Sequence, residues 1–220
     1  MVPTRVYLVR HGVTKEAGED RFSGAGDVDL IDEGRHQANR LGERLAGEGI
    51  TAVYASPLKR AMETARLVAG RWQGEPTPMA GLREIHHGHW EGLKRREVEE
   101  RHAAEYALWS QDPFTYAPEG GESGLTVLAR AHPEMRQIVE AHPGGRVLVV
   151  SHKATIRLLL STFLGIDARG YRDRLDQDPA CLNILDFRDV VRARLVLFND
   201  ISHYANCPAP PGPHLSNWWG

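Results

Sequence analysis

Cysteine is almost absent from this chain. Cys181 and Cys207 are the two among 220 residues, too few for a disulfide framework. That scarcity reads as a reducing, cytoplasmic setting. Long apolar runs are also missing. None exceeds four residues, which excludes a helix spanning a bilayer. The opening Met1-Val-Pro-Thr-Arg5 leads into a short apolar stretch broken by Arg10 and His11, which does not resemble a signal peptide. Charge of one sign does not accumulate. The net value of −2 argues against broad electrostatic binding to nucleic acid or a membrane surface. No internal repeat occurs, and no Gly-Lys-Ser/Thr element marks a nucleotide P-loop. Lysine is scarce as well. Lys15, Lys59, Lys94 and Lys153 are the four among 27 basic residues. The arginine excess reflects either genome composition or the forks that an anionic substrate requires. What remains is ordinary globular material, 41% apolar and 25% charged, sufficient for a sizeable core.

The chain alternates strand and helix patterns. Residues 5–10 read as a buried strand, followed by a Gly-rich polar loop over 12–29. Residues 32–47 read as a helix with Ala38, Leu41 and Leu45 on one face. Strands are expected at 51–55 and 146–150, with a terminal strand pair at 182–187 and 192–198 joined at Asp189. Ser56 and Pro57 have the chemistry of an N-cap and first helical residue. A helix over 125–141 should kink or restart at Pro133, and an apolar helix should cover 155–164. The expected fold is three-layer α/β/α with a mostly parallel central sheet. Residues 83–125 would form a helical and loop insertion over the carboxyl ends of the strands. Residues 1–207 would make one domain and 208–220 a Pro-rich tail, with Trp218 and Trp219 as its anchors.

Two strands each deliver a histidine to the same rim, as Arg10-His11-Gly12 and Ser151-His152. Ligands of open α/β sheets bind outside the carboxyl ends of the strands. One histidine there is commonly a polar loop residue; two suggest a site. Arg60, one turn into a helix that starts at a strand end, either reaches that rim or pairs with Glu63 on the helix surface. His86-His87-Gly88-His89 has the look of a metal cluster, since His87 and His89 could share a face and bind zinc. No cysteine or acidic partner stands at convincing spacing. His86 or His87 lining a substrate mouth fits better, and the reading assigns no metal and no cofactor. Cys181 reads as a core residue in a strand.

Six ordered blocks resemble the histidine phosphatase superfamily, also described as phosphoglycerate mutase-like. They are Arg10-His11-Gly12 with Thr14, the 24–38 run from Gly24 to Ala38, Ser56 to Ala65, Leu82 to Gly92, Gly120 to Ser123, and Ser151-His152. The resemblance covers residues 5 to 203. It implies that His11 is a nucleophile taking up a phosphoryl group, that His152 steadies the transferring oxygens, and that Glu84 is the general acid. It also implies a phosphate-binding set of Arg10, Arg60, Thr14, Ser23 and Gly24. Arginine suits the task because its fork stays charged and binds an oxyanion through two bonds. The implied activity is metal-independent hydrolysis of small phosphomonoesters through phosphohistidine. The alternatives are a phosphoglycerate mutase and a non-catalytic phosphate-binding module. A small-molecule substrate is the expected partner, a homodimer is possible, and neither nucleic acid nor membrane is expected.

Departures from the family pattern are specific. The common Arg-His-Gly-Glu-Thr-x-x-Asn reads Val13 and Ala17 at the Glu and Asn positions, so Arg21 or Ser23 is the expected substitute for a lost polar contact. Lys153 stands after His152 in place of the usual glycine, where it would add positive charge at the substrate mouth. The closing segment Asn199 to His203 is expected to hold the chain end near the rim.

Overall fold

The computed structural model describes residues 2–16, 20–70 and 72–205. Ala17, Cys207, the 208–220 tail and its Trp218 and Trp219 lie outside the described residues. The fold is three-layer α/β/α. Its six-stranded sheet runs β3-β2-β4-β1-β5-β6, with β1 Thr4–Arg10, β2 Ala52–Ala55, β3 Thr77–Pro78, β4 Arg146–Ser151, β5 Leu182–Phe187 and β6 Ala193–Asp200. Strands β3, β2, β4 and β1 are parallel, and β5 and β6 are antiparallel to their neighbours.

The pleat explains the layers. Val6 and Leu8 of β1, with Val147 and Val149 of β4, face α5 (Gly124–Ala141) and α6 (Lys153–Phe163), meeting Met135, Ile138, Ile156 and Leu159. Tyr7, Val9, Leu148 and Val150 face α1 (Asp32–Leu45) and α2 (Lys59–Ala69), meeting Leu41, Ala61 and Ala65. Both faces of the central strands are therefore buried, which is why they read as unbroken apolar runs rather than alternating ones. Each fully buried aliphatic side chain contributes about 1.5–3 kcal/mol.

Several local expectations need correction. Ser56 does not cap α2. The helix begins at Lys59 with Leu58 as its N-cap, which frees Ser56 for another partner. Pro133 does not restart the helix, since α5 runs through it as one element. Pro133 and Ala129, the residue four positions earlier, are both exposed, so water can take the bond that proline cannot make. Cys181 is buried but precedes β5 rather than lying in it. The two-residue strand β3 has no apolar signal of its own in the sequence.

Residues 83–123 carry α3 (Arg95–Arg101), α4 (Ala103–Gln111) and a 3₁₀ turn at Gly88–Trp90. Trp90, Trp109, Phe22 and Val98 form a separate small core there. α5 is capped as its sequence suggests, with the Ser123 hydroxyl accepting from the Thr126 amide at 3.2 Å. No helix among the described residues is long and apolar enough to cross a membrane.

Candidate active site

Parallel pairing decides which residues meet. Arg10 is in register with Ser151, and Ala55 with Val150. The next residues along β1, β4 and β2 are His11, His152 and Ser56, so all three emerge at one sheet edge. All are buried. The ring centroids of His11 and His152 are 5.0 Å apart.

The tautomer of His11 is set by its surroundings. Its Nδ1–H donates to the Gly12 carbonyl at 2.8 Å, leaving Nε2 with a lone pair. Nε2 accepts from Arg60 Nε–H at 3.3 Å. Burial, with Arg60 and Arg10 nearby, holds the His11 pKa well below the ordinary histidine range. His11 is thus neutral at pH 7. Gly12 is required by packing, since a Cβ there would lie 2.5 Å from the Gly34 carbonyl oxygen. The same causes depress His152, desolvation first and then Arg60, His11 and Arg10. His152 Nε2 lies 2.7 Å from Ser56 Oγ, the partner that the absence of a cap role left available.

Arg60 is 1% exposed and does not pair with Glu63, which binds Arg35 instead. The Nη atoms of Arg60 donate to the Gly26 and Gly24 carbonyls at 2.6 and 2.7 Å. Gly24 therefore anchors Arg60 through its carbonyl. Its amide donates to Glu91, so it does not face a ligand. A Cβ on Gly24 would sit 1.8 Å from the Ile85 carbonyl oxygen, which only glycine tolerates. Arg10 Nη1 donates to the Gln177 carbonyl at 2.6 Å. Its Nε is buried and has no hydrogen-bond partner among the described residues.

Glu84 rests on the N-terminus of α6. Its carboxylate accepts from the Ala154 amide at 3.1 Å, the Thr155 amide at 3.3 Å and the Ile85 amide at 3.0 Å. Arg130 of α5 ties down the same turn, donating to the Gly81, Arg83 and Glu84 carbonyls. Ser151 and Thr155 add bonds to the Leu82 and Arg83 carbonyls. Nothing in the sequence singled out Arg130 or Thr155, because their partners are backbone atoms far away along the chain.

A cavity of about 310 Å³ opens at this edge. His11, Arg10, Thr14, Ser23, Glu84 and Lys153 line it together with His87. Arg60, His152, Gly24 and His86 do not. Lys153 reaches the cavity but is not free, since its Nζ lies 3.0 Å from Asp176 Oδ1. Burial outweighs that partner and brings its pKa down to about 8, with Arg10 and Arg157 contributing. Arg21, Arg95, Arg157 and Arg172 also line the wall, so part of the arginine excess is concentrated here. Arg172 lies 4.1 Å over the Trp109 ring. Asn199 of the closing segment reaches this edge of the sheet. Its side chain bonds the amide and carboxylate of Asp178, a cavity residue.

The histidine run divides. His87 packs against Phe22 and Trp109, while His89 turns to Glu105 and His102. The two do not converge on one ion. The fold, rather than sequence spacing, brings Glu105 to His89.

A buried histidine pair, two arginines and a carboxyl group thus meet at the carboxyl edge of the parallel strands of an α/β sheet. Residues 6–201 match the histidine phosphatase superfamily (branch 1), and the chain belongs to that family. It is 32% identical over 163 residues to phosphoserine phosphatase 1 of Hydrogenobacter thermophilus, covering 74% of this chain and 77% of that one. It is 30% identical over 222 residues to a glucosyl-3-phosphoglycerate phosphatase of Mycolicibacterium vanbaalenii, covering 90% and 98%. The crystal structure of the α-ribazole phosphatase from Shigella flexneri superposes with a TM-score of 0.83 at 28% identity, covering 90% and 97%. The chain spans about half the length of the mycobacterial relatives that it matches at 38% identity.

Proposed function

We propose that this protein is a phosphomonoester hydrolase that works through a phosphohistidine on His11, without a metal ion in the reaction. The observation that carries the reading is the tautomer of His11. Its Nδ1–H is committed to Gly12, so Nε2 holds the lone pair that attacks phosphorus.

The steps follow from the side chains. His11 Nε2 forms a bond to phosphorus as the ester P–O bond breaks. Glu84, as general acid, gives a proton to the departing alkoxide. Arg10 and Arg60 balance the charge on the equatorial oxygens. Ser56 Oγ–H donates to His152 Nε2, which leaves the Nδ1–H of His152 to donate to a phosphoryl oxygen. Water then attacks the phosphohistidine, gives a proton to the Glu84 carboxylate, and releases phosphate and neutral His11. Thr14 and Ser23 add neutral hydroxyl contacts at the cavity wall.

The substrates are small phosphorylated metabolites. Supporting this are a cavity of metabolite size and relatives named for phosphoserine, glucosyl-3-phosphoglycerate and α-ribazole phosphate. A phosphate-release assay over a panel of phosphometabolites tests the proposal. Release from at least one of them, lost in His11→Ala, supports it. Phosphoglycerate isomerisation without release would replace it with the mutase reading.

A further inference from the structure

His89, in the Gly88–Trp90 turn, does not line the cavity. Its Nδ1 lies 3.3 Å from the Glu119 carbonyl oxygen, and its Nε2 lies 2.9 Å from Glu105 Oε2. A third donor stands beside that pair: the His102 ring is centred 4.7 Å from that of His89. One donor atom from each of the three residues lies within 4.8 Å of the others.

We propose that His89, His102 and Glu105 form a binding site for a divalent transition metal of the zinc or nickel class, separate from the candidate active site. The ligand types are right, because imidazole favours these ions over magnesium and calcium. The His89–Glu105 spacing of 2.9 Å fits as well, since ligands about 2.1 Å from an ion and at right angles to one another lie about 3.0 Å apart. The surroundings orient two of the ligands, as outer partners of metal sites do. Glu105 Oε2 accepts from the indole N–H of Trp90 at 3.1 Å, and Oε1 accepts from the Glu119 amide at 2.9 Å. Trp90 is fully buried, so that orientation is fixed from the core. His102 closes α3 and opens α4, and Glu105 lies in the first turn of α4. An ion here would clamp that helix junction to the Gly88–Trp90 turn. One turn beyond Glu105, α4 presents Trp109 to the cavity wall. The inference does not depend on the phosphatase reading.

The test titrates untagged, chelator-stripped full-length protein with Zn²⁺ alone, by calorimetry and thermal melting. The expected result is saturable binding of one ion per chain in the micromolar range or tighter. At about a hundredfold excess over Kd, Tm should rise by roughly 5–10 °C. His102→Ala should weaken binding at least tenfold while keeping the fold, because His102 is half-exposed and caps its helix through backbone atoms. Glu105→Gln should weaken it too, and His11→Ala should leave it unchanged. Binding that survives in His102→Ala, binding lost in His11→Ala, or no saturation at 100 µM Zn²⁺ would each overturn the proposal. A wild-type His89 carrying two ring protons and unmoved by Zn²⁺ in nitrogen-correlated NMR would do the same.

Discussion

The Nε–H of Arg60 donates to Nε2 of His11 across 3.3 Å, so the guanidinium proposed to steady phosphate charge touches the atom proposed to attack it. The contact also disfavours the imidazolium. A proton on Nε2 would meet both the burial and the charge of Arg60 and Arg10. The pH dependence of kcat/KM should therefore show no loss from His11 on descending through pH 6.5. The substrate's own second phosphate ionisation, near pH 6, should set the acid limb instead. Changing to an ester with a lower second pKa should move that limb with the substrate. A limb fixed at 6.5 for every substrate would assign it to the enzyme.

Glu84→Gln tests the general acid. Turnover of sugar phosphates, whose alkoxides are poor leaving groups, should fall by roughly 10²–10⁴-fold. p-Nitrophenyl phosphate should lose far less, because its phenolate needs little protonation. Equal losses would assign Glu84 to holding the α6 N-terminus against the Arg83 turn.

Lys153 gives a charge prediction with a pH sign. Its ammonium is present below about pH 8 and lost above it. Preference for a substrate with a second anionic group should therefore decline as pH rises through that value. Lys153→Ala should lower kcat/KM for such a substrate about tenfold and barely affect p-nitrophenyl phosphate, with the gap closing at high salt. A uniform loss on both would mean that Lys153 serves Asp176 and the helix start alone.

His87 offers a stability prediction. Burial holds its pKa at about 4, and its Nδ1 is buried with no hydrogen-bond partner among the described residues. At pH 7 the ring is neutral whether folded or unfolded. Below 6.5 the unfolded chain takes up a proton that the folded chain refuses until about pH 4. His87 therefore costs stability as pH falls through that window. His87→Phe, set among Phe22 and Trp109, should stabilise the protein by about 1 kcal/mol at pH 7 and by more at pH 5, as read by urea unfolding. A variant equally stable or weaker at pH 5 would contradict this.

Chelation tests the metal-free reaction. Dialysis against EDTA should leave the rate within about twofold, even where it lowers Tm by emptying the site at His89. A large loss restored by one divalent ion would require metal in the reaction.

The site was legible where chemistry is local to a strand end. Arg10-His11 and Ser151-His152 follow apolar runs whose burial on both faces fixes them in the central sheet. Parallel pairing then brings the two histidines together without further information. What could not be read were side chains defined by distant backbone partners. Arg130 binds three carbonyls of the 81–84 turn, and Glu91 collects the amides of Gly24, Ala25 and His87. Ser56 belongs with them. Its local sequence is that of a cap, but its hydroxyl meets His152. His89 and Glu105 share no helical or strand spacing, so only the packing of α4 on the Gly88–Trp90 turn shows them as a pair.

The most direct measurement is rapid-quench trapping of the enzyme with a ³²P-labelled ester, followed by peptide mapping. The account predicts one labelled residue, His11, with label stable in base and lost in acid, and no label or turnover in His11→Ala. Label on another residue, or substantial turnover in His11→Ala, would contradict it.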